Sequence, residues 1–129
     1  MNVKEGLTSG RTRQPVKGTA TKNKINVNRG IAADEGLTTT VHEGTHALDI
    51  AEGIVPSPSE QTPAERLFGE ARAFKAEAEF AKLNELTGTR AYNNATKSAK
   101  DLLENIRFAY DLNVTSVEFA EILKKVWGG

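Results

Sequence analysis

The chain has 129 residues, enough for one domain with a hydrophobic core, and its 17 Lys and Arg balance 17 Asp and Glu. It contains no cysteine, which excludes disulfide bridges, thiolate metal sites and cysteine nucleophiles. No apolar run is long enough for a membrane span or a secretory signal peptide, so the sequence predicts a soluble chain.

The N-terminal part of the chain differs in charge from the middle part. Residues 1–30 hold seven Lys or Arg against one acid, whereas residues 31–87 hold eleven acids against four bases. Residues 1–23 are rich in Gly, Thr, Ser, Lys and Arg, which predicts a basic flexible leader. Nucleic-acid binding through this leader is not expected, because residues 1–30 contain no aromatic residue and no recognition motif.

A domain is predicted from residue 24 to residue 129. Residues 24–28 alternate polar and apolar side chains, which is typical of a short edge strand, and Arg29-Gly30 is expected to end it. The pattern becomes helical over residues 37–52, with Gly53 as the stop. The apolar residues of this helix share one side, which we expect to be buried: Leu37, Val41, Leu48 and Ala51.

Three more helices are predicted after this one. Two prolines in residues 54–59 indicate a loop, and the Thr62 and Glu65 pair forms a capping box that starts a helix over residues 62–87. Further helices are expected over residues 98–110 and from a second box at residues 115–118 to Trp127. The predicted fold class is therefore α+β, mostly helical, with one short edge strand.

Residues 42–46 have the sequence His-Glu-Gly-Thr-His and carry the strongest chemical signal. On a helix, His42 and His46 lie about 40° apart around the axis and about 6 Å along it, so both imidazoles can bind one zinc ion. Glu43 points in another direction and can serve as the general base that takes a proton from water activated by the ion. The pattern predicts one zinc ion per chain and a hydrolytic reaction.

A catalytic zinc site needs a third protein ligand, and the composition restricts the choice. The chain has no third histidine and no cysteine, so a carboxylate of the second predicted helix is the expected ligand. Glu70 and Glu77 border the apolar stripe of that helix, whereas Glu65 and Glu79 project away from it and Glu60 precedes the helix. Glu70 is preferred because it lies closer to the start of the helix, where a short loop returns the chain to the motif.

Other residues are expected to assist the site. Asp49 and Glu77 are the carboxylates available to support a ligand histidine. Tyr92 and Tyr110 are the two tyrosines that could stabilise an oxyanion, and the sequence does not choose between them.

Residues 41–49, the proline- and serine-rich loop and residues 70–77 together resemble the metallopeptidase domains at the C-termini of bacterial polymorphic toxins and secreted effectors. The resemblance implies a minimal, gluzincin-like zincin fold with Glu70 as the third zinc ligand. It also implies a toxin or effector module that is delivered or secreted within a larger protein, and a cognate immunity or inhibitor protein as partner. The chain departs from the usual gluzincin pattern at Phe74, where an aspartate often supports a ligand histidine.

The function predicted from these observations is zinc-dependent hydrolysis of peptide bonds in a protein or peptide substrate. The alternative is a zinc-containing binding or inhibitory module without turnover. Glu43 favours hydrolysis, because a purely structural zinc site needs no base beside its ligands.

Overall fold

The structure, a computed structural model, describes residues 29–128. These residues form five α-helices and one 3-10 turn, with no β-strand among them. In chain order the elements are α1 (Arg29–Ala51), the 3-10 turn (Pro58–Glu60), α2 (Pro63–Leu83), α3 (Arg90–Ala95), α4 (Ala99–Ala109) and α5 (Ser116–Trp127). No helix within this range is long and apolar enough to cross a membrane.

The predicted α+β class is wrong, because the described residues are helical and supply no sheet. An edge strand needs a second strand to pair with, and residues 29–128 offer none. Arg29 and Gly30, which were expected to end a strand, instead begin α1. The strand predicted at residues 24–28 and the leader predicted at residues 1–23 lie outside the described residues.

Helix α1 differs from its prediction in its start and in its buried face. It begins at Arg29 instead of about Leu37, because residues 31–35 include good helix formers and each glycine inside a helix costs only about 1 kcal/mol. Leu37 and Leu48, expected to be buried, are 50% and 56% exposed. The buried face is polar and is formed by Thr38, His42 and Asp49. These residues recur at helical spacing, and α2 supplies polar partners for the last two.

Helix α2 lies at the centre of the fold and packs against every other described helix. Its predicted capping box is confirmed: Glu65 N–H donates to the Thr62 hydroxyl, and Thr62 N–H donates to the Glu65 carboxylate. The helix ends at Leu83 instead of Thr87, since the chain reverses at Glu85, which has a φ of 54°. As expected, both Glu70 and Glu77 are buried, while Glu79 is exposed.

The hydrophobic core joins the first half of α2 to α4 and α5. The capping box predicted at Thr115 is confirmed for α5, and Ser98 caps α4, the helix predicted over residues 98–110. The short helix α3 was not predicted. The buried core residues are Leu67, Ala71, Phe74, Leu102, Leu103, Ile106, Ile122 and Val126.

The loop after α1 brings α2 back along the motif helix. Gly53 has a φ of 75°, a conformation that favours glycine, and the Asp49 carbonyl accepts hydrogen bonds from the N–H groups of Ile54 and Val55. Val55 is buried against Gly69, where an added Cβ would lie 3.6 Å from Val55 Cγ1. This close packing holds the start of α2 beside the C-terminal half of α1, next to Glu70.

Candidate functional site

Three side chains from two helices bring one donor atom each to a common point. His42 and His46, one turn apart on α1, approach each other with 3.1 Å between their Nε2 atoms. Glu70 Oε1, from α2, lies 3.1 Å from His42 Nε2 and 3.2 Å from His46 Nε2. The three residues expected as zinc ligands therefore form a nearly equilateral donor triangle.

The dimensions of the donor triangle suit a small tetrahedral cation. Zinc with bonds of about 2.0–2.1 Å to nitrogen and oxygen separates its ligand atoms by about 3.3–3.4 Å, slightly more than the distances in the triangle. Two imidazole nitrogens and a carboxylate oxygen cannot converge as three bare acceptors, because their lone pairs would repel one another. A positive centre, either a proton or a metal ion, has to lie among them, so these residues fit a zinc ion.

His42 is held in orientation from behind by a second carboxylate. Its Nδ1–H donates to Glu77 Oε1 at 2.7 Å, and Glu77 is fully buried. Arg90 Nη2 donates to the other oxygen, Glu77 Oε2, at 3.0 Å, and the Arg90 backbone N–H donates to Glu35 Oε2 at 2.7 Å. The imidazole is therefore set with Nε2 towards Glu70, and the supporting chain joins α1, α2 and α3.

Glu70 also has a cationic neighbour. Arg66, one turn earlier on α2, donates from Nε to Glu70 Oε2 at 3.3 Å. The two oxygens of this carboxylate are thus used differently, with Oε2 towards Arg66 and Oε1 in the donor triangle.

The pKa values of His42 and Glu70, the two buried members of the donor triangle, are strongly shifted. Burial lowers the pKa of His42, but hydrogen bonds and charges from Glu70 and Glu77 outweigh it and raise the pKa to about 9. Burial raises the pKa of Glu70, but its bonds to His42 and His46 dominate and hold the pKa well below its usual range. A protonated His42 beside an ionised Glu70 is therefore the metal-free state at neutral pH.

Glu43, the expected base, is exposed on α1 beside the donor triangle. It makes no side-chain hydrogen bond within residues 29–128, and its carboxylate is not committed to structure. One residue corresponds to about 100° around a helix, so Glu43 points away from the direction of His42. This is the arrangement expected for a proton acceptor that does not bind the metal.

Aromatic side chains line one side of the site. The Phe74 ring meets His42 edge-on, with 4.6 Å between centroids, and the Tyr110 ring lies 6.3 Å from Phe74. Tyr110 is therefore near the donor triangle, while Tyr92 lies on α3, and neither tyrosine hydroxyl makes a hydrogen bond within the described residues. Burial and the negative charge of Glu70 raise the pKa of Tyr110, so its hydroxyl remains a proton donor at neutral pH.

Some hydrogen-bond partners of the carboxylates around the site differ from those expected. Asp49 makes no hydrogen bond to either histidine; among residues 29–128 its carboxylate accepts from Arg72 Nε and Nη2 at 2.7 and 3.0 Å and ties α1 to α2. Arg66 and Arg90 were missed. The spacing of Arg66, four residues before Glu70, could have signalled it, but Arg90 reaches Glu77 only through the fold of the loop after α2.

Comparison with known proteins adds no relative. No protein-family model, curated protein or solved structure matches the chain. The resemblance to toxin and effector metallopeptidases therefore depends on the residues of the motif and of α2, and it stays a prediction.

Proposed function

We propose that this chain is a zinc-dependent hydrolase of peptide bonds. The observation that carries the proposal is the convergence of His42, His46 and Glu70 on one point, with the uncommitted carboxylate of Glu43 beside it on the motif helix. Donor types and spacing fit zinc, and three protein ligands are the number that catalytic zinc sites use.

The roles of the residues follow from their positions. A bound zinc ion would supply a Lewis acid that acidifies water and polarises the scissile carbonyl. Glu43 accepts the proton of the attacking water and delivers it to the leaving amine. Glu77 holds the His42 ring in orientation, and the Tyr110 hydroxyl is the candidate donor to the developing oxyanion.

A toxin or effector role is the finer part of the proposal. It is supported by the resemblance of residues 41–49 and 70–77 to delivered metallopeptidase domains. Under this proposal the substrate is a protein or peptide of a target cell, the chain is delivered or secreted within a larger protein, and an immunity or inhibitor protein covers the site.

The test compares the chain with its Glu43→Gln variant after both are loaded with zinc and their metal content is measured. On a denatured proteome, the wild-type chain should generate new peptide termini and Glu43→Gln should generate at least about 100-fold fewer, because an amide cannot accept the proton. Glu79→Gln is the matched control, since this acid is exposed on α2 and pairs with Lys75.

One result would decide against hydrolysis, and another would decide against Glu43 as its base. If the zinc-loaded wild-type chain cleaves nothing in the proteome, the proposal fails, and the alternative of a zinc-containing binding module replaces it. If Glu43→Gln cleaves as fast as wild type, Glu43 is not the base.

A further inference from the structure

Two arginines and two aromatic rings form a row along one side of the donor triangle. The Arg66 guanidinium lies over the Tyr110 ring, with 5.2 Å from Cζ to the ring centroid. The Tyr110 ring is 6.3 Å from the Phe74 ring, and the Arg90 guanidinium lies 5.5 Å from the Phe74 centroid. The row begins at the arginine that contacts Glu70 and ends at the arginine that contacts Glu77.

Both guanidinium groups have hydrogen-bond donors to spare. Arg66 donates only through Nε, and the Arg90 guanidinium donates only through Nη2, when partners within residues 29–128 are considered. Their side chains are 47% and 51% exposed, so the remaining N–H groups can meet a molecule that arrives from solvent. Contact with the ring faces limits the motion of both groups, and a preorganised guanidinium loses less entropy on binding.

The charges around the donor triangle balance once a divalent cation is counted. With His42 neutral, as metal binding requires, Glu35, Glu43, Glu70 and Glu77 carry two negative charges more than Arg66 and Arg90 neutralise. A divalent cation in the donor triangle would cancel this excess, so an arriving anion would not meet a site of net negative charge.

We propose that Arg66 and Arg90 form a carboxylate-recognising rim, so that the site takes peptides with a carboxylate close to the scissile bond. This inference depends on the proposed function for its reaction but concerns recognition alone. Arginine pairs with carboxylates through two parallel N–H···O bonds, which makes this anion the best match for the spare donors. The carboxylate belongs to an Asp or Glu side chain or to a C-terminus.

Binding to zinc-loaded Glu43→Gln protein tests the rim without turnover. The probes are acetylated and amidated alanine hexapeptides with one Glu at each position in turn, each matched with the Gln peptide, and hexa-alanine with a free or an amidated C-terminus. At least one carboxylate peptide should bind about tenfold more tightly than its amide partner. The Glu series and the C-terminal pair distinguish the two sources of the carboxylate.

Variants in the same background assign the preference to the rim. Arg66→Gln and Arg90→Gln should each reduce the tenfold preference to about twofold or less, with zinc occupancy verified in every sample. Arg107→Gln is the control, because this arginine pairs with Glu104 on α4, away from the site. The inference is overturned if carboxylate and amide peptides bind alike, if none binds, or if the preference survives in both rim variants. Cleavage of proteome peptides without a carboxylate preference would overturn the rim and leave hydrolysis standing.

Discussion

His42 Nδ1 lies 2.7 Å from Glu77 Oε1, and this contact decides which nitrogen of the ring faces Glu70. Because a carboxylate can only accept, the one proton that a neutral His42 keeps is fixed on Nδ1, and the lone pair of Nε2 is then available to a metal. Glu77 thus acts on a metal through His42, while Glu70 would touch the metal directly.

The two acids of α2 should therefore differ in their effect on zinc affinity. Loss of a direct ligand in Glu70→Ala should weaken binding by about 1,000-fold or more, whereas Glu77→Ala, which frees the His42 ring, should weaken it by about 10–100-fold. Competition with a chromogenic chelator measures both constants. Glu77→Gln serves as a second variant if the buried cavity prevents folding. Wild-type affinity in Glu70→Ala together with a large loss in Glu77→Ala would reverse the assignment.

Zinc should stabilise the folded chain at a ratio of one ion per chain. The ligands tie α1 to α2, so the metal binds the folded state only, and at 100 times its dissociation constant it contributes about 2.7 kcal/mol. For a domain of this size, chelation should lower the melting temperature by roughly 10 °C. Elemental analysis gives the stoichiometry and calorimetry gives the shift. An identical melting curve with and without excess chelator, in protein that contains no metal, would refute the zinc site.

The metal-free protein should lose stability as the pH rises. The pKa of His42 is raised from 6.5 to about 9, so its contribution is complete below pH 6.5 and is lost between pH 6.5 and 9. The pKa of Glu70 is lowered, so its contribution is complete above its ordinary pKa of 4.5 and is lost as the pH falls below that value. Melting in excess chelator should thus show maximal stability between about pH 4.5 and 6.5.

Zinc should remove this fall in stability above pH 6.5. The His42 proton must leave before Nε2 can bind a metal, so the stabilisation that zinc provides should grow from pH 6.5 to 9. The control is His42→Gln, in which the fall of metal-free stability over this interval should be smaller. A metal-free melting temperature that stays level or rises between pH 6.5 and 9 would contradict the buried imidazolium.

Tyr110 should matter for turnover and Tyr92 should not. If the Tyr110 hydroxyl donates to the oxyanion, Tyr110→Phe should lower kcat by about 100-fold with little change in KM, because the bond forms only in the transition state. Tyr92→Phe is the matched control on α3. The assignment of Tyr110 requires unchanged zinc content in both variants, and equal activity of the two variants would remove it.

The parts of the fold that local chemistry dictates were predictable from the sequence. The capping boxes at Thr62 and Thr115 and the stop at Gly53 mark helix ends by hydrogen bonds between residues close in the chain. The buried face of α1 was not predictable by the same means. Apolar periodicity selected Leu37 and Leu48, whereas the fold buries His42 and Asp49, whose partners lie on another helix.

The donor triangle, too, was predictable from the sequence only in part. His42 and His46 are brought together by one helical turn, which spacing alone reveals, and Glu70 was chosen from a stripe of α2 with help from a resemblance. Arg90 approaches Glu77 across the turn after α2, and this turn includes Glu85 in a left-handed conformation. No spacing rule predicts such a reversal at a residue other than glycine, so α3 and its arginine were missed.

The contact between Arg66 and Glu70 Oε2 affects which metal ions the donor triangle can bind. With that oxygen engaged, Glu70 presents a single oxygen beside two imidazole nitrogens. Calcium is bound by six to eight oxygen ligands and magnesium by an octahedron of oxygens. These alkaline-earth cations, the most abundant in cells, should therefore bind weakly to one oxygen and two nitrogens. A metal bound at these three atoms would therefore be a transition metal and not calcium or magnesium, and the availability of zinc, cobalt and nickel would decide among those three.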